Sequence, residues 1–97
     1  MNAILNVYKD CSTEKPSKQY VCKRLLFGVS KKVQAVSENI ANKTQEEQLE
    51  ATIEVLKAIF PNFEAEDINY IDPIEYAAFI AEISSEANKV FGEAQKN

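Results

Sequence analysis

Two short β-rich segments open the chain, and from Val29 onward the hydrophobic period lengthens to that of a helix. Residues 3–9 (Ala-Ile-Leu-Asn-Val-Tyr-Lys) and 19–27 (Gln-Tyr-Val-Cys-Lys-Arg-Leu-Leu-Phe) are rich in side chains that suit a pleated, half-buried surface. Between them Asp10 to Lys18, with Ser, Thr and Pro16, reads as a polar turn, so the pair predicts a β-hairpin with a longish loop. A lone two-stranded hairpin is marginal in water. This one must therefore dock on helices or pair with another chain.

Val29, Val33, Val36 and Ile40 fall at i, i+4, i+7 and i+11, one face of a helix that starts near Ser30, a fair N-cap, and stops near Asn42. Thr44-Gln-Glu-Glu47 has the form of a capping box, the Thr oxygen serving the N3 amide and Glu47 reaching back to the cap amide. Leu49, Ile53, Leu56 and Phe60 repeat at helical spacing until Pro61 ends the run. A second stripe, Ala51, Val55 and Ala58, predicts contact on another side of the same helix. Residues 63–68 read as a loop and one helical turn anchored by Phe63 and Ile68.

Asp72-Pro73-Ile74-Glu75 is the clearest start signal, with Asp as cap, Pro at N1 and Glu at N3. Tyr76, Phe79, Ile80, Ile83, Ala87, Val90 and Phe91 then share one face, and Gly92 sits where a left-handed C′ residue belongs. Opposite runs a line of small residues, Ala77, Ala78 and Ala81, that lets another helix approach closely. The expected fold is mostly α (α+β): one domain over residues 1–97, with a hairpin region at 1–27, a three-helix bundle with a short extra helical turn over 28–92, and a frayed tail at 93–97.

The residue inventory restricts the chemistry. With no His among 97 residues, imidazole acid–base catalysis and His–metal ligation are excluded. No GxSxG elbow or Gly-rich phosphate loop is present, and Gly28 and Gly92 stand alone. Glu64, Glu66, Asp67 and Asp72 cluster without the spacing or loop Gly of an EF-hand, and read instead as a solvated cluster at a helix start. The expectation is a protein that is not an enzyme and needs no metal or cofactor. Cys11 and Cys22 are too few for a four-thiolate site and read as two reduced thiols. The N-terminus lacks a secretory signal and no apolar run approaches the ~20 residues of a membrane span. These features predict a cytoplasmic chain that is not secreted and has no membrane partner.

The net charge of −4 conceals an asymmetry. Residues 1–43 carry eight Lys/Arg against three acids, and residues 44–97 carry three Lys against twelve acids. The halves either neutralise each other within the fold, or steer a partner, bind nucleic acid or favour head-to-tail self-association. Lys15, Lys18, Lys23, Arg24, Lys31 and Lys32 make residues 15–32 basic, with Tyr20 and Phe27 interleaved, so a small nucleic-acid-binding regulatory protein is the alternative reading. Against it stand a single Arg, the acidic net charge, and the need for Tyr20 and Phe27 on the hairpin's core face. The hairpin that needs support, the second face of the last helix and the charge split together favour a binding or assembly protein.

Several segments resemble the tail assembly chaperones of long-tailed, siphovirus-type phages of Gram-positive bacteria. They are Gln48-Leu49 opening a helix that ends Leu56-Lys-Ala-Ile-Phe60, the short acidic helix Glu64-Ala-Glu-Asp-Ile68, and the run Arg24-Leu-Leu-Phe-Gly-Val-Ser-Lys-Lys-Val33. The likeness spans roughly residues 18–91 and departs at Pro61-Asn62, where that group has a Gly-containing turn. It implies a non-enzymatic protein of the host cytoplasm that holds the long tape measure protein soluble and binds tail-tube subunits during assembly. Independently of the resemblance, exposed-face geometry nominates Val55, Ala58, Ala77, Ala78 and Ala81 as contacts for such a client.

Overall fold

A computed structural model describes residues 1–95, with side chains as far as Lys89. Strands β1 (Ala3–Val7) and β2 (Lys18–Cys22) pair antiparallel, Ala3 opposite Cys22 and Val7 opposite Lys18. The side chains alternate across the pleat as a half-buried sheet requires. Ala3, Leu5, Val7, Tyr20 and Cys22 are buried, while Ile4 and Val21, direct cross-strand partners, face outward. Both strands are shorter than their β-rich segments. After Val7 the Tyr8 amide donates to the Tyr70 carbonyl, and the Asp10 carboxylate gathers Ser12 and Thr13 into a turn. Beyond Cys22, whose thiol donates to the Arg24 carbonyl, the chain turns toward the first helix.

Helix α1 (Phe27–Asn39) begins three residues ahead of the expected Ser30 cap, with an extended Leu26 as its N-cap. Ser30 is fully buried inside the helix, its amide and hydroxyl both donating to the Leu26 carbonyl. The hydroxyl is satisfied locally, which allows a polar side chain in the core. Phe27 therefore leaves the hairpin's core face and is 56% exposed. Val33 is buried, with Val29 and Val36 packed beside the core as their spacing predicts.

A 3-10 turn, Ile40–Asn42, leads to α2 (Gln45–Ile59), whose Thr44–Glu47 capping box is formed in both directions. The Gln48 amide donates to the Ile40 and Lys43 carbonyls and ties this link together. The core face of α2 is rotated from the expected stripe. Ala51, Val55 and Leu56 are buried, whereas Leu49 is exposed, because α2 packs along α1 and joins the hairpin core through Phe60 at its C-cap.

A 3-10 helix (Ala65–Tyr70) follows, then α3 (Pro73–Gln95), which packs against β1 and α1. Asp72 caps α3 by accepting the Ile74 amide at 2.8 Å. Phe79, Ile83 and Ala87 are buried and Tyr76 and Ile80 pack beside them. The helix does not end at Gly92 but continues to Gln95, three residues into the predicted frayed tail. Val90 and Phe91, and the ends of the chain at Lys96 and Asn97, lie outside the described side chains. Tyr20 stacks between Phe60 and Phe63, with ring centroids 5.3 and 5.1 Å away, and Phe60 meets Phe79 at 5.9 Å. The result is α+β: a hairpin laid with its apolar face on a helical core.

Candidate functional site

The five positions nominated from sequence divide. Val55 is 3% exposed and packs in the core, so it is unavailable to a partner. The side of α2 that carries Ala51 and Val55 is its inner face, not an outer one. Ala58 is half-buried and lines a surface recess, and Ala77, Ala78 and Ala81 are exposed on the outer side of α3. The structure does not bring the α3 alanines together with Ala58 in one recess.

The loop end of the hairpin carries most of the long-range polar contacts. Asp67 accepts the Tyr20 hydroxyl at 2.6 Å and the Lys18 ammonium at 2.8 Å, and Lys18 also reaches Glu64 at 3.4 Å. Burial pushes the Asp67 carboxyl up, but these two donors outweigh it and hold the group below the ordinary range. Asp67 is thus a tie between hairpin and 3-10 helix, not a solvated acid. Nearby, Glu75 accepts the Tyr8 hydroxyl at 2.6 and 2.9 Å and the Asn6 amide at 3.1 Å. That hydrogen bond, with a smaller contribution from desolvation, raises the Tyr8 phenol.

A broad recess of about 710 Å³ lies here, bounded by the hairpin loop and the start of α3. Three of its four carboxylates are engaged, Asp10 with Ser12 and Thr13, Asp72 with the α3 amide, and Glu75 with Tyr8 and Asn6; Glu14 is the fourth. Exposed Cys11 also borders it. The two cysteines are free thiols, and burial raises that of Cys22. Among the described residues no group of three or more Cys, Asp and Glu is placed to hold a metal ion. No described helix is long and apolar enough to cross a membrane.

The other end of the hairpin is different in kind. A recess of about 270 Å³ opens between the β2–α1 connection and the end of α2. Its walls are apolar: Leu25, Leu26, Val29, Ala58, Ile59 and Pro61, with Arg24 at the edge. Leu26 is 62% exposed, and Phe27 continues the patch along α1. Lys31 lies one helical turn beyond Phe27, and Lys57 is in the last turn of α2. Among the described residues Lys18, Lys32 and Lys89 form ion pairs, whereas Arg24, Lys31 and Lys57 form none. Lys32 pairs with Glu54 at 3.0 Å, across α1 and α2.

Part of the charge asymmetry is thereby neutralised inside the fold, by Lys18 on the acidic 3-10 helix and Lys32 on α2. The basic segment 15–32 is not one continuous surface, since those two lysines are committed and Tyr20 is buried. The sequence does not mark Leu26 and Ile59 as site residues, and Pro61 reads there only as a helix stop and a departure from the resemblance. One signal was available: Leu25-Leu26-Phe27 is three apolar residues in a row, more than one face of a strand or an entering helix turn can bury. Comparison with known protein families, with curated proteins and with solved structures finds no match for this chain.

Proposed function

We propose that this chain is a non-enzymatic protein-binding factor, a phage tail assembly chaperone that acts in the host cytoplasm and binds tape measure protein and tail-tube subunits. The observation that carries the reading is the apolar recess at the α1–α2 end, with Leu26 and Phe27 standing out beside it. Exposed large side chains next to a concave apolar surface are the usual mark of a protein-binding site. Most of the region lies in the segments Arg24 to Val33 and Leu56 to Phe60, two of those that resemble the tail assembly chaperones, while Pro61 in its wall is where that likeness departs. An amphipathic segment of the client lays its apolar side chains into the recess and against Leu26, and several copies along one long client add avidity.

The test is co-purification and titration of the full chain with fragments of a siphovirus tape measure protein. Saturable binding that is weakened by Leu26→Glu supports the proposal. A well-folded chain that binds no tape measure fragment overturns it. A parallel titration with DNA and RNA, whose affinity would fall steeply with salt, tests the alternative reading.

A further inference from the structure

The recess at the loop end of the hairpin keeps charge that the fold does not cancel. Asp10, Glu14, Asp72 and Glu75 line it against a single ammonium, that of Lys9. None of these five groups forms an ion pair among the described residues, where the cations in ion pairs are Lys18, Lys32 and Lys89. The donors to Asp10, Asp72 and Glu75 are neutral amides and hydroxyls, so they fix the carboxylates in place and leave the charge intact. Asp10 takes Ser12 and Thr13 on Oδ1, and Asp72 takes the Ile74 amide on Oδ1. Each keeps an Oδ2 with no partner among the described residues. Exposed Glu14 has neither oxygen engaged there. The Tyr8 phenol registers the field: after its bond to Glu75 and desolvation, the charges of Glu75 and Asp72 raise it further.

The other walls of this recess are aromatic and apolar, Tyr8, Tyr70, Ile71 and Pro73, and Tyr70 is 44% exposed. We propose that the recess docks a basic segment of a partner protein, seating a Lys or Arg side chain against the tyrosine rings and within reach of the carboxylates. Three features select that occupant. Tyrosine faces attract organic cations, and Arg also stacks on them and forks onto carboxylate oxygens. No group of three acids among the described residues is placed to hold a metal ion, so the charge calls for a larger, extended cation. At about 710 Å³ the recess has room for several side chains, and its apolar walls receive the neighbours of the basic residue. Nucleic acid and anionic lipid carry the wrong sign for this surface. The site shares no lining residue with the apolar recess at the other end of the hairpin and does not depend on the function assigned there.

The test is fluorescence anisotropy of the full chain with a labelled, end-blocked Leu-Arg-Leu-Arg-Leu peptide at low salt. The proposal expects saturable one-to-one binding that weakens with added salt, and no binding of the matching Leu-Glu-Leu-Glu-Leu peptide. With native circular dichroism retained, Glu14→Lys should weaken binding about fivefold and Tyr70→Ser about threefold. Glu38→Lys makes the same change in net charge at an exposed position on α1, away from the recess, and should shift affinity by less than about twofold. Leu26→Glu should not weaken binding. Equal losses in Glu14→Lys and Glu38→Lys would trace the affinity to overall charge and overturn the proposal. A loss in Leu26→Glu would place the peptide in the apolar recess and overturn it equally. A folded chain that binds no Arg peptide, or binds the Glu peptide as well, also overturns it. Spermidine that displaces the labelled peptide as effectively as the unlabelled peptide does would show that charge alone suffices, against a peptide site.

Discussion

The two ends of the hairpin place similar side-chain types in opposite circumstances. At the loop end, phenols, carboxylates and an ammonium are matched to one another: Tyr20 and Lys18 to Asp67, Tyr8 and Asn6 to Glu75. At the other end, Leu26 and Phe27 stand out from the surface, and Arg24, Lys31 and Lys57 have no counter-ion among the described residues. A charged group satisfied inside the fold contributes to holding the fold. Leu26, largely in water beside an open recess, contributes little to folding and is available for binding. The distinction between groups matched within the fold and surface left unmatched therefore follows the hairpin axis.

The sharpest way to break the comparison is to change the same residue type on both sides of it. Leu56 is fully buried, so Leu56→Ala should cost about 3 kcal/mol in urea denaturation. Leu26→Ala at the open end should change stability by no more than about 0.5 kcal/mol. Equal effects would show that the recess is part of the core.

A smaller effect is expected at the loop end. Asp67→Asn keeps the shape but weakens the bonds from Tyr20 and Lys18, and should cost about 1–2 kcal/mol at neutral pH. The sign with pH follows from the lowered carboxyl. Its contribution is complete above the ordinary Asp value of 3.8 and is lost as pH falls through the lower value of the folded state. The gap between wild type and Asp67→Asn should therefore close on acidification, as read by denaturation at a series of pH values. A gap that widens below the ordinary Asp value would contradict the assignment.

Two helix-end substitutions should have still smaller effects. Removing the cap with Thr44→Ala should lower stability by about 1 kcal/mol, seen as a reduced melting temperature. Gly28→Ala should raise stability by about 0.5 kcal/mol, because Gly28 is helical and an added Cβ would meet nothing within 4 Å. A loss of stability at Gly28 would mean that the start of α1 is more constrained than its open surroundings indicate.

Much of the fold was legible where local chemistry determines it. The Thr44–Glu47 box, the Asp72-Pro73 start and the Phe79–Ile83–Ala87 face each depend on residues a few positions apart. What sequence misplaced depends on contacts distant in the chain. Ser30 looks like a cap, but burial against the core moves the helix start to Phe27 and leaves the hydroxyl bonding backward to Leu26. Val55 and Leu49 exchange roles because α1 and the Tyr20–Phe60 pair, not the pattern of α2 alone, fix which way α2 turns. Asp67 looked like one acid of a solvated cluster until Lys18, 49 positions away in sequence, was seen to reach it.

The site was legible only in part for the same reason. Ala58 and the outward alanines of α3 follow from helical spacing, and both remain accessible. The recess itself needs the β2–α1 connection laid beside the end of α2, a juxtaposition no local pattern states. Ile74 lay off the Tyr76–Phe79–Ile83 face by helical geometry, and its 81% exposure agrees with that spacing.

The most direct measurement of the central claim is a titration of labelled tape measure fragment with the wild-type chain and with Leu26→Glu, both confirmed folded by circular dichroism. The account predicts saturable binding by the wild type and affinity at least about tenfold weaker for the variant. Wild-type protein that binds nothing, or a variant that binds as tightly, would contradict it.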